Sequence, residues 1–166
     1  RGKRPTPRLL ALVAALSEDD RAGFAAMLAQ ALAEQSGRRV ILVDLDPRAG
    51  RAAKALGLPG KALCEEDLHG RDLRDPKVLG EILEVHPCGL GVLSVTPASL
   101  SGRLYRSLFL LFNLLRDNSD FVLLALRDAK GDVERAALAE ADLWVLAGSD
   151  ARKDDFLATV SHELRT

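Results

Sequence analysis

Side chains able to do chemistry fall in three short stretches of this chain. The first, "LSEDDRAG" at residues 16–23, lies between an apolar run and an alanine-rich segment. A nucleotide-binding chain puts a glycine-rich phosphate loop at such a junction, because glycines let backbone N–H groups approach phosphate oxygens and a lysine offsets their charge. Here Ser17 is followed instead by Glu18, Asp19 and Asp20, and then by Arg21. A carboxylate 4 Å from a phosphate charge is repelled by about 4 kcal/mol at a surface-like dielectric. The same residues suit a helix start: Ser17 as N-cap, Asp20 completing a capping-box-like pattern, and acids at the positive helix end. In the second stretch, "VDLDPRAG", Asp44 and Asp46 arrive where an apolar run stops. The third, "SHELRT", sets His162 beside Glu163 and one helical turn before Thr166.

The elements that must position these groups alternate. "LLALVAAL" (9–16) reads as a buried strand, and a helix over about 19–35 should bury Phe24, Met27, Leu28, Ala31 and Leu32. "VILVDLD" (40–46) is a second buried strand, so the first three elements form a parallel βαβ unit. A short helix at 51–56, a polar acidic connection at 64–75 and a helix at 76–85 follow. Strands at 89–95, 121–126 and 143–148 are separated by a long apolar helix at 101–117 and another at 132–141. Residues 151–166 are helical. Five strands alternating with helices predict an α/β fold, a doubly wound, mostly parallel sheet with ligand sites at the strands' carboxyl ends.

Bulk properties exclude several classes. Among 166 residues, 23 basic and 24 acidic side chains leave a formal charge of -1, which gives no drive toward nucleic acid. Cys64 and Cys88 lack CxxC spacing and His69, His86 and His162 are scattered, so neither a disulfide framework nor a metal cage is expected. No apolar run approaches the roughly 20 residues of a membrane span, and the basic opening lacks a signal-peptide core, so a cytoplasmic protein is expected. The chain starts without Met and is read as an excised fragment. Its organisation reads as a basic flexible leader (1–8), one domain (9–149) and the start of a second element (150–166). Trp144 and the Phe-rich stretch at 109–115 read as core, and the latter helix is apolar on more than one face, which permits a subunit interface.

Taken together, "GRRVILVDLDPRAG", "GLGVLSVTPASL" and "DFVLLALRDAKGDVERAALAEADLWVLAGSD" resemble the ParA/MinD group of deviant P-loop ATPases, including the MinD-like domains of CpaE/TadZ proteins, over residues 9–150. Tyrosine kinases of the Wzc type have a similar layout. The resemblance implies that Asp44 and Asp46 match carboxylates that arrange water and magnesium. It also implies a KGGVGKTT-like motif over residues 16–23, where the lysine falls on Arg21, the magnesium-binding Thr on Ala22, and glycines on Ser17, Glu18 and Asp20. The Asp expected at the end of the fourth strand falls on Ala125, with Asp128 three residues later. Loss of glycine loop, metal hydroxyl and metal carboxylate together implies a pseudo-ATPase with no bound cofactor. Asp44 and Asp46 then remain as turn caps or as partners of Arg21.

The tail "RKDDFLATVSHELRT" (152–166) is similar to the H-box of sensor histidine kinases, commonly FLATVSHELRTPL. Phe156, Val160 and Leu164 form a helical seam suited to a dimer. The resemblance implies His162 as phosphoacceptor, Glu163 as its acid/base partner, and Thr166 at the position that orients water for dephosphorylation. It further implies a homodimer, a response-regulator receiver as partner, and ATP with magnesium only through a kinase domain outside this chain. The expected function is therefore a non-hydrolysing regulatory or dimerisation domain of a histidine kinase. Two alternatives are a CpaE/TadZ-like protein that organises partners at a pole or pilus base, and a divergent ATP-binding ParA/MinD protein using Arg21.

Overall fold

The first strand, β1 (Leu9–Ala15), is an uncharged apolar run in a computed structural model that describes residues 8–96 and 104–148. It pairs in parallel with β6 (Phe121–Leu126) on one side and β7 (Leu143–Gly148) on the other. Leu9, Leu10, Ala11 and Leu12 are all buried, because helices cover both faces of the sheet. That two-sided burial explains why the run does not alternate with polar residues.

The following helix, α1 (Glu18–Ser36), starts at Ser17 and stops at Gly37, whose φ of 65° closes the last turn in the left-handed region. Its buried face is Ala25, Ala26, Ala29 and Ala33, not the expected stripe of larger residues. Met27 is 47% exposed, while Phe24, Leu28 and Leu32 pack partly buried at the flanks. The alanines let the helix axis approach the sheet closely, and the larger side chains fill the space beside it.

β2 (Val40–Asp44) is buried throughout and leads to α2 (Arg51–Ala55). Then come β3 (Ala62–Leu63), α3 (Glu65–His69), α4 (Lys77–Ile82), β4 (Glu84–Val85) and β5 (Gly91–Val95). The described part of α5 (Leu104–Asp117) precedes β6, and α6 (Asp132–Glu140) precedes β7. The sheet therefore has seven strands in the order β3-β5-β2-β6-β1-β7, with β4 antiparallel to β5. All five expected strands form. The two additional ones share the outer edge of β5 and are two residues long, too short to leave a periodic signal.

Side chains on one face of the sheet pack with α1 and α2, and those on the other pack with α3, α4, α5 and α6. The chain steps one way across the sheet from β1 to β2 and the opposite way from β5 to β6 and from β6 to β7. Right-handed crossovers require helices on opposite faces for these opposite steps, as observed. β1 and β6 are neighbours whose onward connections run opposite ways, so the ligand position of a doubly wound sheet lies at their carboxyl ends, beside that of β2. Register places Ala125 beside both Leu12 and Asp44 there.

Two expectations about core residues are corrected. Trp144 is 56% exposed, because β7 is an edge strand and no described element covers its outer side. In α5, Phe112 is buried but Phe109 is 47% exposed, so the described Phe-rich stretch presents one ring to the core and one outward. Residues 1–7 of the expected leader, the 97–103 connection and the tail carrying His162, Glu163 and Thr166 lie outside the described residues, while Arg8, expected in the leader, donates its backbone N–H to Asp142 Oδ2 at 2.9 Å.

Candidate functional site

Only Leu16 and Ser17 separate β1 from α1. Residues 18–23, which the alignment assigns to a phosphate loop, are instead helical. The Ser17 hydroxyl accepts the Asp20 N–H at 3.3 Å and donates to Asp20 Oδ2 at 2.9 Å. The Ser17 carbonyl accepts the N–H groups of Asp20 at 3.1 Å and Arg21 at 3.0 Å. Two of the N–H groups at this helix end, those of Asp20 and Arg21, are thus bonded within the helix's own first turn.

Arg21 sits one turn into α1 and reaches across to the loop after β2. Its Nε donates to Asp46 Oδ2 at 2.8 Å, its Nη2 to Asp46 Oδ1 at 3.4 Å, and its Nη1 to the Leu16 carbonyl at 3.3 Å. The two side chains are only 11% and 16% exposed, so the pair is largely screened from water. The Asp46 hydrogen bond raises the Arg21 pKa further above its ordinary value, against the opposing effect of burial. Two more exposed ion pairs join the same segments: Arg48 to Glu18 at 3.2 Å and Arg51 to Asp19 at 2.7 Å. The Arg51 hydrogen bond lowers the Asp19 pKa.

Asp44, 2% exposed, holds the turn between β2 and α2. Its Oδ1 accepts the Asp46 N–H at 3.1 Å and its Oδ2 accepts the Gly50 N–H at 3.2 Å. Burial raises its pKa to about 6, although backbone N–H groups of Asp46, Gly50 and Ala52 favour the carboxylate. Gly50 makes the turn possible: its φ is +102°, and a Cβ there would lie 2.4 Å from the Gly60 carbonyl oxygen. Sequence reading found Asp44, Asp46 and Arg21 but missed Arg48 and Arg51. Their signal was charge balance, since two arginines three residues apart answer the two leading acids of α1.

The residues present do not fit a magnesium nucleotide. The space among Leu12, Ala14, Arg21, Ala22, Asp44 and Ala125 is a cavity of about 10 Å³, the scale of one water. Ala22 and Ala125 offer no side-chain oxygen where a metal would need one. Asp128 is committed to its own turn: Oδ1 accepts the N–H groups of Lys130 at 2.8 Å and Gly131 at 3.3 Å, and Oδ2 accepts Arg127 Nε at 3.0 Å. Among the described residues, no group of three or more His, Cys, Asp or Glu side chains is placed to hold a metal ion. No described helix is long and apolar enough to cross a membrane.

No protein-family model matches the sequence, and no curated protein matches it. Solved structures do. The kinase domain of Escherichia coli tyrosine kinase ETK aligns over 98% of this chain and 64% of its own, at 16% identity and a TM-score of 0.67. A ParA family ATPase from Chlorobium tepidum aligns over 84% of this chain and 59% of its own, at 17% identity and 0.66. The septum site-determining protein MinD of Pyrococcus horikoshii, complexed with Mg-ADP, aligns over 84% and 57%, at 18% identity and 0.63. The chain therefore spans about three fifths of the length of these three structures. At such identities the likeness establishes the fold, which is of the ParA/MinD type.

Proposed function

We propose that this ParA/MinD-type fold serves as a regulatory domain that neither binds nor hydrolyses nucleotide. The observation that carries the reading is the junction itself: a two-residue turn, a capped helix, and an Arg21–Asp46 pair where a phosphate loop and its lysine would stand. Opening it for a triphosphate would break that pair, uncover a largely buried carboxylate and bring Glu18, Asp19 and Asp20 toward the incoming charge. Each change opposes binding. The MinD comparison structure is complexed with Mg-ADP, whereas Ala22 and Ala125 here supply no side-chain oxygen to a metal.

The output of the domain follows from the tail. The H-box similarity of residues 152–166 supports His162 as a phosphoacceptor, Glu163 as its acid/base partner and Thr166 as a water-orienting group. β7 ends at Gly148, so few residues separate the sheet from that segment. Dimerisation or rotation of the domain then reaches the tail without a long linker, and the partners are a second copy and a receiver domain.

Two assays test these parts. Incubated with Mg-ATP, the chain should release phosphate no faster than buffer, and Arg21→Ala should change nothing; turnover that disappears in Arg21→Ala would refute the silent site. In the protein expressed from its full reading frame, ATP should give an acid-labile phosphoryl label lost in His162→Gln. Label unchanged by that substitution, or no label, would sink the phosphoacceptor assignment.

A further inference from the structure

Among the described residues, β7 is the last strand on its side of the sheet and pairs only with β1. Its sequence, LWVLAG, carries no charged residue. Edge strands are usually blunted by charge, proline or a covering element, and this one has neither of the first two. Its inward-facing side chains toward α1, Val145 and Ala147, are 6% and 5% exposed. On the opposite face, which carries α5 and α6, Trp144 and Leu146 are 56% and 68% exposed. The Trp144 indole N–H donates to the Leu138 carbonyl in α6 at 2.8 Å, which fixes the ring beside the end of that helix. Two large apolar side chains, two residues apart on one face, thus form a strip next to α6 that no described element covers.

The sequence that follows supplies an occupant. Phe156, Val160 and Leu164 recur at a spacing of four, with Leu157, Ala158 and Thr159 in the first interval and the polar Ser161, His162 and Glu163 in the second, the pattern of an apolar helical stripe. Both steps toward β7's side of the sheet, β5 to β6 and β6 to β7, carry their helices on the Trp144 face. A helix that continued from the carboxyl end of β7 in the sense of those two crossovers would lie on that face, beside α6. Residues 149–155 give seven positions between Gly148 and Phe156, about 10 Å of reach even where they are helical and about 23 Å where extended, against a helix width of about 10–12 Å. Tethering so close sets an effective concentration in the millimolar range, ahead of any partner in free solution.

We propose that the Phe156, Val160 and Leu164 stripe of residues 151–166 docks on the Trp144 and Leu146 strip of β7. Docking stands independently of the reading given above. If that reading also holds, docking and pairing with a second phosphoacceptor helix compete for one seam, so the domain restrains the tail until it is released.

Trp144 is the single tryptophan of the chain and therefore reports directly on the strip. In the 166-residue protein, without nucleotide, the expected result is blue-shifted emission and weak acrylamide quenching. Phe156→Asp and Val160→Asp should each shift emission to the red and raise the Stern–Volmer constant about twofold, as a covered aromatic face becomes accessible. Ala158→Asp, on the other side of the same helical pattern, should do neither. Far-UV circular dichroism with thermal melting reports that the domain remains folded in each variant. Emission identical in wild type, Phe156→Asp and Val160→Asp would overturn the proposal. So would a shift that appears only as protein concentration rises, because a second copy would then be the occupant.

Discussion

Asp44 is a buried acid whose ionisation costs stability. Its folded pKa of about 6 lies above its ordinary value of 3.8, so between these values the folded state binds more protons than the unfolded one. Its contribution therefore improves as pH falls from about 7 toward 4 and is lost as pH rises through 6. Urea denaturation of wild type and Asp44→Asn should show wild type gaining on the order of 2–3 kcal/mol relative to the variant between pH 8 and pH 4. A pH-independent difference would contradict the burial argument. The Arg21–Asp46 pair should behave as a largely buried ion pair, in which removing one partner strands the other. Arg21→Ala and Asp46→Ala should each destabilise by roughly 2 kcal/mol, and the double variant should cost about 1–2 kcal/mol less than the sum, measured by a denaturation cycle. Additive losses would mean that the two side chains stabilise separately. Ser17 and Asp20 were legible in the sequence because capping is a local, three-residue matter. The partner of Arg21 was narrowed only to Asp44 or Asp46, since both lie more than 20 residues away and are brought near by the crossover from β1 to β2; the structure gives the pair to Asp46 and the turn to Asp44.

The elements differ in how much of them a sequence carries. Strands β1, β2, β5, β6 and β7 announce themselves as short apolar runs between turn residues, β2 alone ending on a charged side chain, Asp44. β3 and β4 have two residues each and exist because β5 has a free edge to offer, which is information from the sheet rather than from their own residues. In α1 two adjacent stripes compete, one of alanines and one with Phe24 and Leu28. Periodicity gives the helix but not which stripe meets the sheet; closeness of approach decides for alanine. The turn after β2 makes a sharper test of element geometry. Gly50 and Gly37 both have positive φ, but only at Gly50 would a Cβ meet backbone, 2.4 Å from the Gly60 oxygen. Gly37→Ala should cost about 1 kcal/mol from backbone strain alone, whereas Gly50→Ala should cost at least about 2–3 kcal/mol. Thermal melts of the two variants compare them, and equal losses would mean that the turn relaxes around the added methyl.

At the level of the molecule, alternation of strands and helices was enough to predict the doubly wound sheet, and handedness then limits where each helix goes. Strand order was not legible, because it depends on which strand each crossover passes over. Nor was the exposure of Trp144, since a six-residue apolar strand reads the same at an edge as in the centre. The comparison structures include proteins solved with ADP and magnesium, and under the proposed function this chain has their fold with the β1–α1 junction closed to nucleotide. Calorimetric titration of the 166-residue chain with a non-hydrolysable ATP analogue and magnesium decides whether that closure is real. A closed junction gives no binding heat up to millimolar nucleotide, and Arg21→Ala gives the same flat trace. Micromolar affinity that vanishes in Arg21→Ala would show that Arg21 leaves Asp46 for phosphate and that the site is a working one.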